Sequence, residues 1–240
     1  MWSTSLTATL LLVSSLLAAA SPISSIFQRD AALTEAQMIA IAPKSKTCDD
    51  PPAKGECATA QQAAKFTSQS FETYKVTSKA EQAAIVSLMA FESGDFKYNK
   101  NHFPGTPGQG SMYRIDNISI YISPCAVQWL TWEFTARNMQ SPAFNKKYAS
   151  SIPDLKDQIA KVANSPADLL DLLRENETYD FGSGAWFLTT QCSQDVRSAL
   201  REGSETGWQK YISDCVGTSV TDERKAYWER ATKALGVTGA

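Results

Sequence analysis

Apolar residues recur at helical spacing along most of the chain, and the polar residues between them are those that start helices. Thr34-x-x-Gln37 and Ser78-x-x-Glu81 read as capping boxes, in which two side chains satisfy the orphan amides of a first turn. Ser141 and Ser165 read as N-caps, with Pro142 and Pro166 at the first helical position, where the missing N–H is no loss. Thr221 is a further N-cap, whereas Ser151-Ile152-Pro153 is a looser signal because its serine lies one residue too early. These signals predict helices at about 34–41, 56–75, 79–92, 142–150, 154–163, 166–174, 194–201, 204–214 and 222–235. Leu169, Leu170, Leu172 and Leu173 form one apolar face, and Trp208, Tyr211, Ile212 and Cys215 another. The expected fold class is all-α, a single helical domain over 33–240.

Residues 111–136 break this pattern. Tyr113 to Ile122 alternates like a strand without a partner, and the segment holds Cys125, the odd member of five cysteines. Back-translation offers a cause. Ser111-Met112-Tyr113 can encode a fungal-type 5′ splice signal (GTATGT), Leu130-Thr131 a CTAAC branch point, and Phe134-Thr135-Ala136 a TTTACAG acceptor. Removing the codons between them keeps frame and joins Gly110 to Thr-Arg137-Asn138-Met139. We therefore read 111–136 as a retained intron, against the alternative of a translated surface insertion.

At the other end, Leu6 to Ala20 is apolar and finishes in Ala18-Ala19-Ala20 before Ser21-Pro22, the small-residue pattern of a secretory signal peptide over 1–20. The run is short of the ~18 apolar residues of a membrane span. Residues 21–32 read as a disordered leader or pro-segment. Export gives meaning to the glycosylation sequon Asn176-Glu177-Thr178 and to the cysteines that remain once Cys125 is set aside. Of the three pairings open to four cysteines, proximity favours Cys48 with Cys57 and Cys192 with Cys215. With 23 Lys+Arg against 25 Asp+Glu, no basic surface for nucleic acid or anionic membrane is expected, and the exported chain reads as a monomer.

Chemistry concentrates after the helix at 79–92. Glu92 shares a helical face with Ile85, Leu88 and Met89, so its carboxyl is expected to be desolvated near a helix C-terminus, as a general acid requires. The alternative is a buried glutamate that only organises the core. The loop beyond it carries Tyr98, Asn99, Asn101, His102, Gln109 and Gly110, groups suited to sugar hydroxyls and acetamido groups. His102 is the only histidine and has no ligand-spaced partner, so no metal and no cofactor are expected. Asp95 and Asp180 are candidates for a second carboxylate. The stretch Tyr179 to Phe187, with aromatics beside Gly182 and Gly184, reads either as a sugar-stacking wall or as core.

An apolar helix ending in Glu92-Ser93-Gly94, then a polar loop with Gly108-Gln109-Gly110, resembles the catalytic-glutamate region of the lysozyme-like superfamily, nearest to goose-type lysozymes and soluble lytic transglycosylases. The resemblance spans Ala83 to Gly110. It implies a lysozyme-like fold, with Glu92 matching the acid, Ser93 its neighbour and Gln109 the loop glutamine; with the polar loop's Tyr98, Asn101 and Gly110, Ser93 and Gln109 are the candidate substrate contacts. The chain also resembles a group of secreted ascomycete proteins whose loop runs Pro-Gly-Gln-Gly-Thr-Arg-Asn-Met, a string that splicing would restore and that adds Arg137 and Asn138 to the contacts. The implied function is cleavage of a β-1,4-linked N-acetylated polysaccharide, peptidoglycan before chitin. The alternative is a non-catalytic secreted effector or cell-wall-binding protein of the same helical fold. Sequencing the transcript is expected to show a dominant message without the codons for 111–136; a dominant message that still encodes Cys125 contradicts the intron.

Overall fold

The computed structural model describes residues 1–2, 32–102 and 140–239. The chain divides into two compact units, Met1–Ala31 and Ala32–Ala240. Of the first, only Met1 and Trp2 are described, both exposed. The expected signal peptide, nearly all of the leader, and the strand-like segment at 111–136 lie outside the described residues.

The second unit is all-α. Its helices are α1 (Glu35–Ile41), α2 (Ala60–Tyr74), α3 (Lys79–Glu92), α4 (Pro142–Ser150), α5 (Lys156–Val162), α6 (Pro166–Arg174), α7 (Glu177–Gln191), α8 (Gln194–Arg201), α9 (Glu205–Lys210) and α10 (Asp222–Leu235). Short 3-10 turns cover Pro43–Lys46 and Pro153–Leu155, and no strand occurs among the described residues. The chain after α9 continues as a π turn, Tyr211–Val216, that stops at Gly217 in the left-handed conformation. The capping box at Thr34 is complete, and Ser141, Ser165 and Thr221 cap their helices as expected. At α3 only half the box forms. Ser78 accepts the Glu81 amide, but the Glu81 side chain turns to Arg197 at 2.8 Å and Arg201 at 3.2 Å, binding α3 to α8.

Two expectations change. The second helix starts at Ala60 rather than near 56, because Thr59 and Gln62 form a capping box of their own. The stretch from Tyr179 to Phe187, where no helix was predicted, belongs to α7; of its two readings, sugar-stacking wall or core, it is core, with Phe181, Trp186 and Phe187 buried. Its glycines are points of close approach. A Cβ on Gly184 would meet Ile85 Cγ2 at 3.0 Å and Met89 Sδ at 3.2 Å, so its absence lets α7 lie close on α3.

α3 is the central element. Every residue from Ala83 to Ala90 is buried, and α10, α8, α7 and α1 pack around it. Its largest interface is with α10. Lys79, at the start of α3, lies near Gly236 past the end of α10, and Glu92, at the end of α3, meets Arg224 in α10's first turn, so the two helices run antiparallel. Two disulfides fasten the edges: Cys48–Cys57 closes the loop before α2, and Cys192–Cys215 joins the end of α7 to the π turn. They realise the pairing favoured by proximity. Loops of this size contribute ~2–4 kcal/mol each in the chain-entropy account.

Tyr148 provides a test of the packing. Its buried hydroxyl donates to the Tyr179 carbonyl at 2.8 Å, and a Cβ on Gly182 would fall 2.3 Å from that hydroxyl oxygen but 3.5 Å from the ring carbon bearing it. Gly182→Ala is expected to lower stability by ~1–3 kcal/mol in denaturant unfolding despite alanine's better helix propensity. In a Tyr148→Phe background the loss should largely disappear. A more stable Gly182→Ala protein would contradict this packing.

Candidate functional site

The residues after α3 turn in an uncommon way. Gly94, Asp95 and Phe96 have φ of 59°, 63° and 62°, three consecutive left-handed residues. Glycine accepts this freely; for aspartate and above all phenylalanine it costs ~1–2 kcal/mol each. The surrounding contacts offset that strain. The Ser93 hydroxyl donates to the Met89 carbonyl (2.7 Å) and accepts the Phe96 amide (2.9 Å). Phe96 is fully buried against Phe181, with ring centroids 5.9 Å apart, and its carbonyl accepts the Ala58 amide at 2.9 Å. Asp95 accepts the Lys44 amide at 2.8 Å through Oδ2 and the Tyr227 hydroxyl through Oδ1. The turn sends residues 97–102 toward the Cys48–Cys57 loop, where the Lys97 ammonium donates to the Thr47 carbonyl.

Glu92 is 4% exposed. Its Oε1 accepts from Arg224 Nη2 at 2.8 Å and Nε at 3.1 Å, while Arg224 Nη1 donates to the Ser219 carbonyl at 3.2 Å. The guanidinium also lies 4.9 Å from the centre of the Phe91 ring. Phe91 meets Tyr227 edge-on at 5.6 Å, and Arg230 stacks on Tyr227 at 4.0 Å, so two rings lie between two cations in a ladder along α10. Arg230 Nε then donates to the Ile41 carbonyl at the end of α1 (2.8 Å). Each charge of the central pair is ill placed for its own helix, an anion at the C-terminus of α3 and a cation at the N-terminus of α10. Because the helices are antiparallel, each is well placed for its neighbour's dipole.

The sequence places Glu92 on a buried apolar face, and there it is; what the sequence does not disclose is the guanidinium beside it. Arginine stays charged throughout the working range, so the buried pair is balanced only with Glu92 as the carboxylate. Ser93 and Asp95 are also buried and hold the left-handed turn. Neither faces solvent as a substrate contact would.

A second polar centre forms around Asn99. Its backbone amide donates to Glu56 Oε2 (3.2 Å), its Nδ2 to Asp180 Oδ2 (3.4 Å), and its Oδ1 accepts from Arg174 Nη1 (3.2 Å). Arg174 is also bonded to Asp171 through Nε. Glu56, held in place by the neighbouring disulfide at Cys57, bonds His102 Nε2 at 2.9 Å through Oε1. Asn99, Glu56 and Asp180 are buried, Tyr98 and Asn101 half-buried, and the His102 side chain is 44% exposed with its ring 5.6 Å from that of Tyr98. Asp180 thus serves this centre, as a fully buried acceptor for Asn99. Gln109, Gly110, Arg137 and Asn138 lie outside the described residues. No group of three or more His, Cys, Asp or Glu side chains that could hold a metal occurs among the described residues.

Arg224, Tyr227, Arg230, Glu56 and Arg174 are the residues that sequence reasoning passes over. The three-residue spacing of Arg224, Tyr227 and Arg230 marks them as one face of α10. That this face meets Phe91 and Glu92, 132 positions earlier for the Arg224–Glu92 pair, has no local signature.

No family model matches the chain, and no solved structure matches it. Over 182 residues it is 42% identical to a bifunctional dioxygenase (DOX)-epoxy alcohol synthase (EAS) of Fusarium oxysporum (strain Fo5176), an alignment covering 73% of this chain and 12% of that protein. The chain therefore spans about 12% of the curated relative it matches.

Removing one member of a buried ion pair leaves the other uncompensated, at ~3–5 kcal/mol. Arg224→Met alone is expected to lose stability of that size, about 2–4 °C in Tm for each kcal/mol in a domain of this length. Calorimetry or denaturant unfolding checks this, and an unchanged Tm would show that the pair does not support the fold.

Proposed function

We propose that this chain is an exported, disulfide-fastened helical protein that binds cell-wall polysaccharide without cleaving it, with Glu92 as a structural anion. The Glu92–Arg224 pair carries this reading: the carboxylate nominated by the lysozyme-like resemblance is buried against a fixed positive charge. Export accords with the two disulfides, which persist in oxidising compartments. It also accords with the described helices, none of which is long and apolar enough to cross a membrane. Dioxygenase and epoxy alcohol synthase activities are named for the Fusarium protein, of which this chain spans about 12%, and the proposal does not transfer them.

The binding face we propose is the segment Tyr98 to His102. Its phenol, amide and imidazole groups stand on a base of buried Glu56, Asn99 and Asp180 and half-buried Arg174, so little side-chain freedom is lost when they meet a ligand. Such groups pair with the hydroxyls and acetamido groups of an N-acetylated glycan. Peptidoglycan is the first substrate class to try and chitin the second.

The test is co-sedimentation with insoluble peptidoglycan and chitin, alongside an assay for soluble reducing ends across pH 3–8. Binding without release is expected. His102→Ala and Tyr98→Ala should each weaken binding by up to about tenfold, the scale of one lost hydrogen bond. Release of oligosaccharide by the native protein, abolished in a folded Glu92→Gln variant, would restore the glycosidase reading.

A further inference from the structure

One cavity is lined by none of the residues of the Glu92 and Asn99 centres. It has a volume of about 390 Å³, inside the ~300–1,000 Å³ range of small-ligand sites, and is lined by Gln61, Gln62, Lys65 and Phe66 of α2 and by Glu177 of α7. Glu177 is the middle residue of the sequon Asn176-Glu177-Thr178.

Asn176 is exposed and caps α7 in a manner that suits modification. Its Oδ1 accepts the Thr178 amide at 2.9 Å, which leaves Nδ2, the atom that N-glycosylation uses. The cavity beside it has the character of a sugar subsite. Phe66 is half-buried and stacked on Phe181 at 6.1 Å, with the ammonium of the exposed Lys65 over its ring at 4.8 Å; with that side chain swung aside, the ring is the kind of aromatic surface that packs on the apolar face of a pyranose. The Gln62 Oε1 is engaged by the Thr59 amide and hydroxyl, so its amide nitrogen remains as a donor. Glu177 Oε2 is shielded from solvent and has no hydrogen-bond partner, an acceptor that a hydroxyl or an acetamido N–H would satisfy.

We propose that Asn176 carries an N-linked glycan whose first N-acetylglucosamine folds back into this cavity over Phe66. The proposal rests on passage through the secretory pathway and not on wall binding. In the transfer, Nδ2 attacks the anomeric carbon of a lipid-pyrophosphate-linked oligosaccharide. The N–C bond forms, the C–O bond to the pyrophosphate breaks, and the amide proton is lost as the lipid pyrophosphate departs. The docked sugar then ties the first turn of α7 to the first turns of α2, beside the Asn99 centre's Asp180 one turn further along α7.

The experiment uses the full chain secreted from yeast behind an efficient host leader, so that delivery to the transferase does not depend on the chain's own first residues. Intact mass is read before and after an endoglycosidase that leaves one N-acetylglucosamine. One glycan is expected, absent in Thr178→Ala. The trimmed, one-sugar protein is expected to melt roughly 2–4 °C above Thr178→Ala. That gap should close when the same two proteins are compared in a Phe66→Leu background. An unmodified Asn176 overturns the proposal outright. A modified Asn176 with the same gap in both backgrounds, or no gap in either, overturns the docking. Wall binding by the Thr178→Ala protein is read separately, so its loss or survival bears only on the proposed wall-binding function.

Discussion

The end of α3 is fixed by one buried ion pair, and much of the molecule is arranged around it. Glu92 and Arg224 each sit at the end of their own helix where their charge is disfavoured, and each is made favourable by the other helix running antiparallel alongside. Burying two charges costs several kcal/mol before any attraction is counted, so such a pair adds little net stability over an apolar contact. Its effect lies in register: sliding α10 by a turn along α3 would carry the Arg224 guanidinium away from Glu92 toward apolar residues such as Leu88 and separate the two buried charges. The ladder of Arg224, Phe91, Tyr227 and Arg230 extends that register to the end of α1.

Fixing α3 and α10 also fixes the turn beyond Glu92. The left-handed run at Gly94–Phe96 is tolerated only because Tyr227 of α10 and the Lys44 amide hold Asp95 while α7 receives Phe96. The turn aims Tyr98 to His102 at the disulfide loop, where Glu56 meets His102 and Asn99. The polar face we propose for binding is therefore rooted in the same contacts that bury Glu92 against Arg224.

Local chemistry made most helices legible in the sequence. Serine or threonine caps with prolines at the first position placed α4 and α6, a threonine cap placed α10, and apolar spacing placed α3. What escaped was decided by distant partners. α7, absent from the predicted helices, carries two glycines and a run of aromatics; Tyr148 and Met89, from other helices, need the space those glycines leave. Glu81 read as half of a capping box because Arg197 and Arg201 lie over a hundred residues away. Likewise Glu92 read either as a general acid or as a buried organiser of the core. Its burial was visible in the spacing of α3, but its counter-ion was not.

Replacing both members of the pair measures the central claim most directly, because apolar side chains of similar size can substitute for a buried ion pair without loss of stability. In a Glu92→Met/Arg224→Met protein, unfolding free energy and binding to insoluble wall polysaccharide would be measured together. If Glu92 is structural, stability should stay within ~1–2 kcal/mol of the native protein and wall binding should be unchanged. A double variant that folds as well as the native protein yet has lost its action on the wall would show that Glu92 acts on the substrate itself.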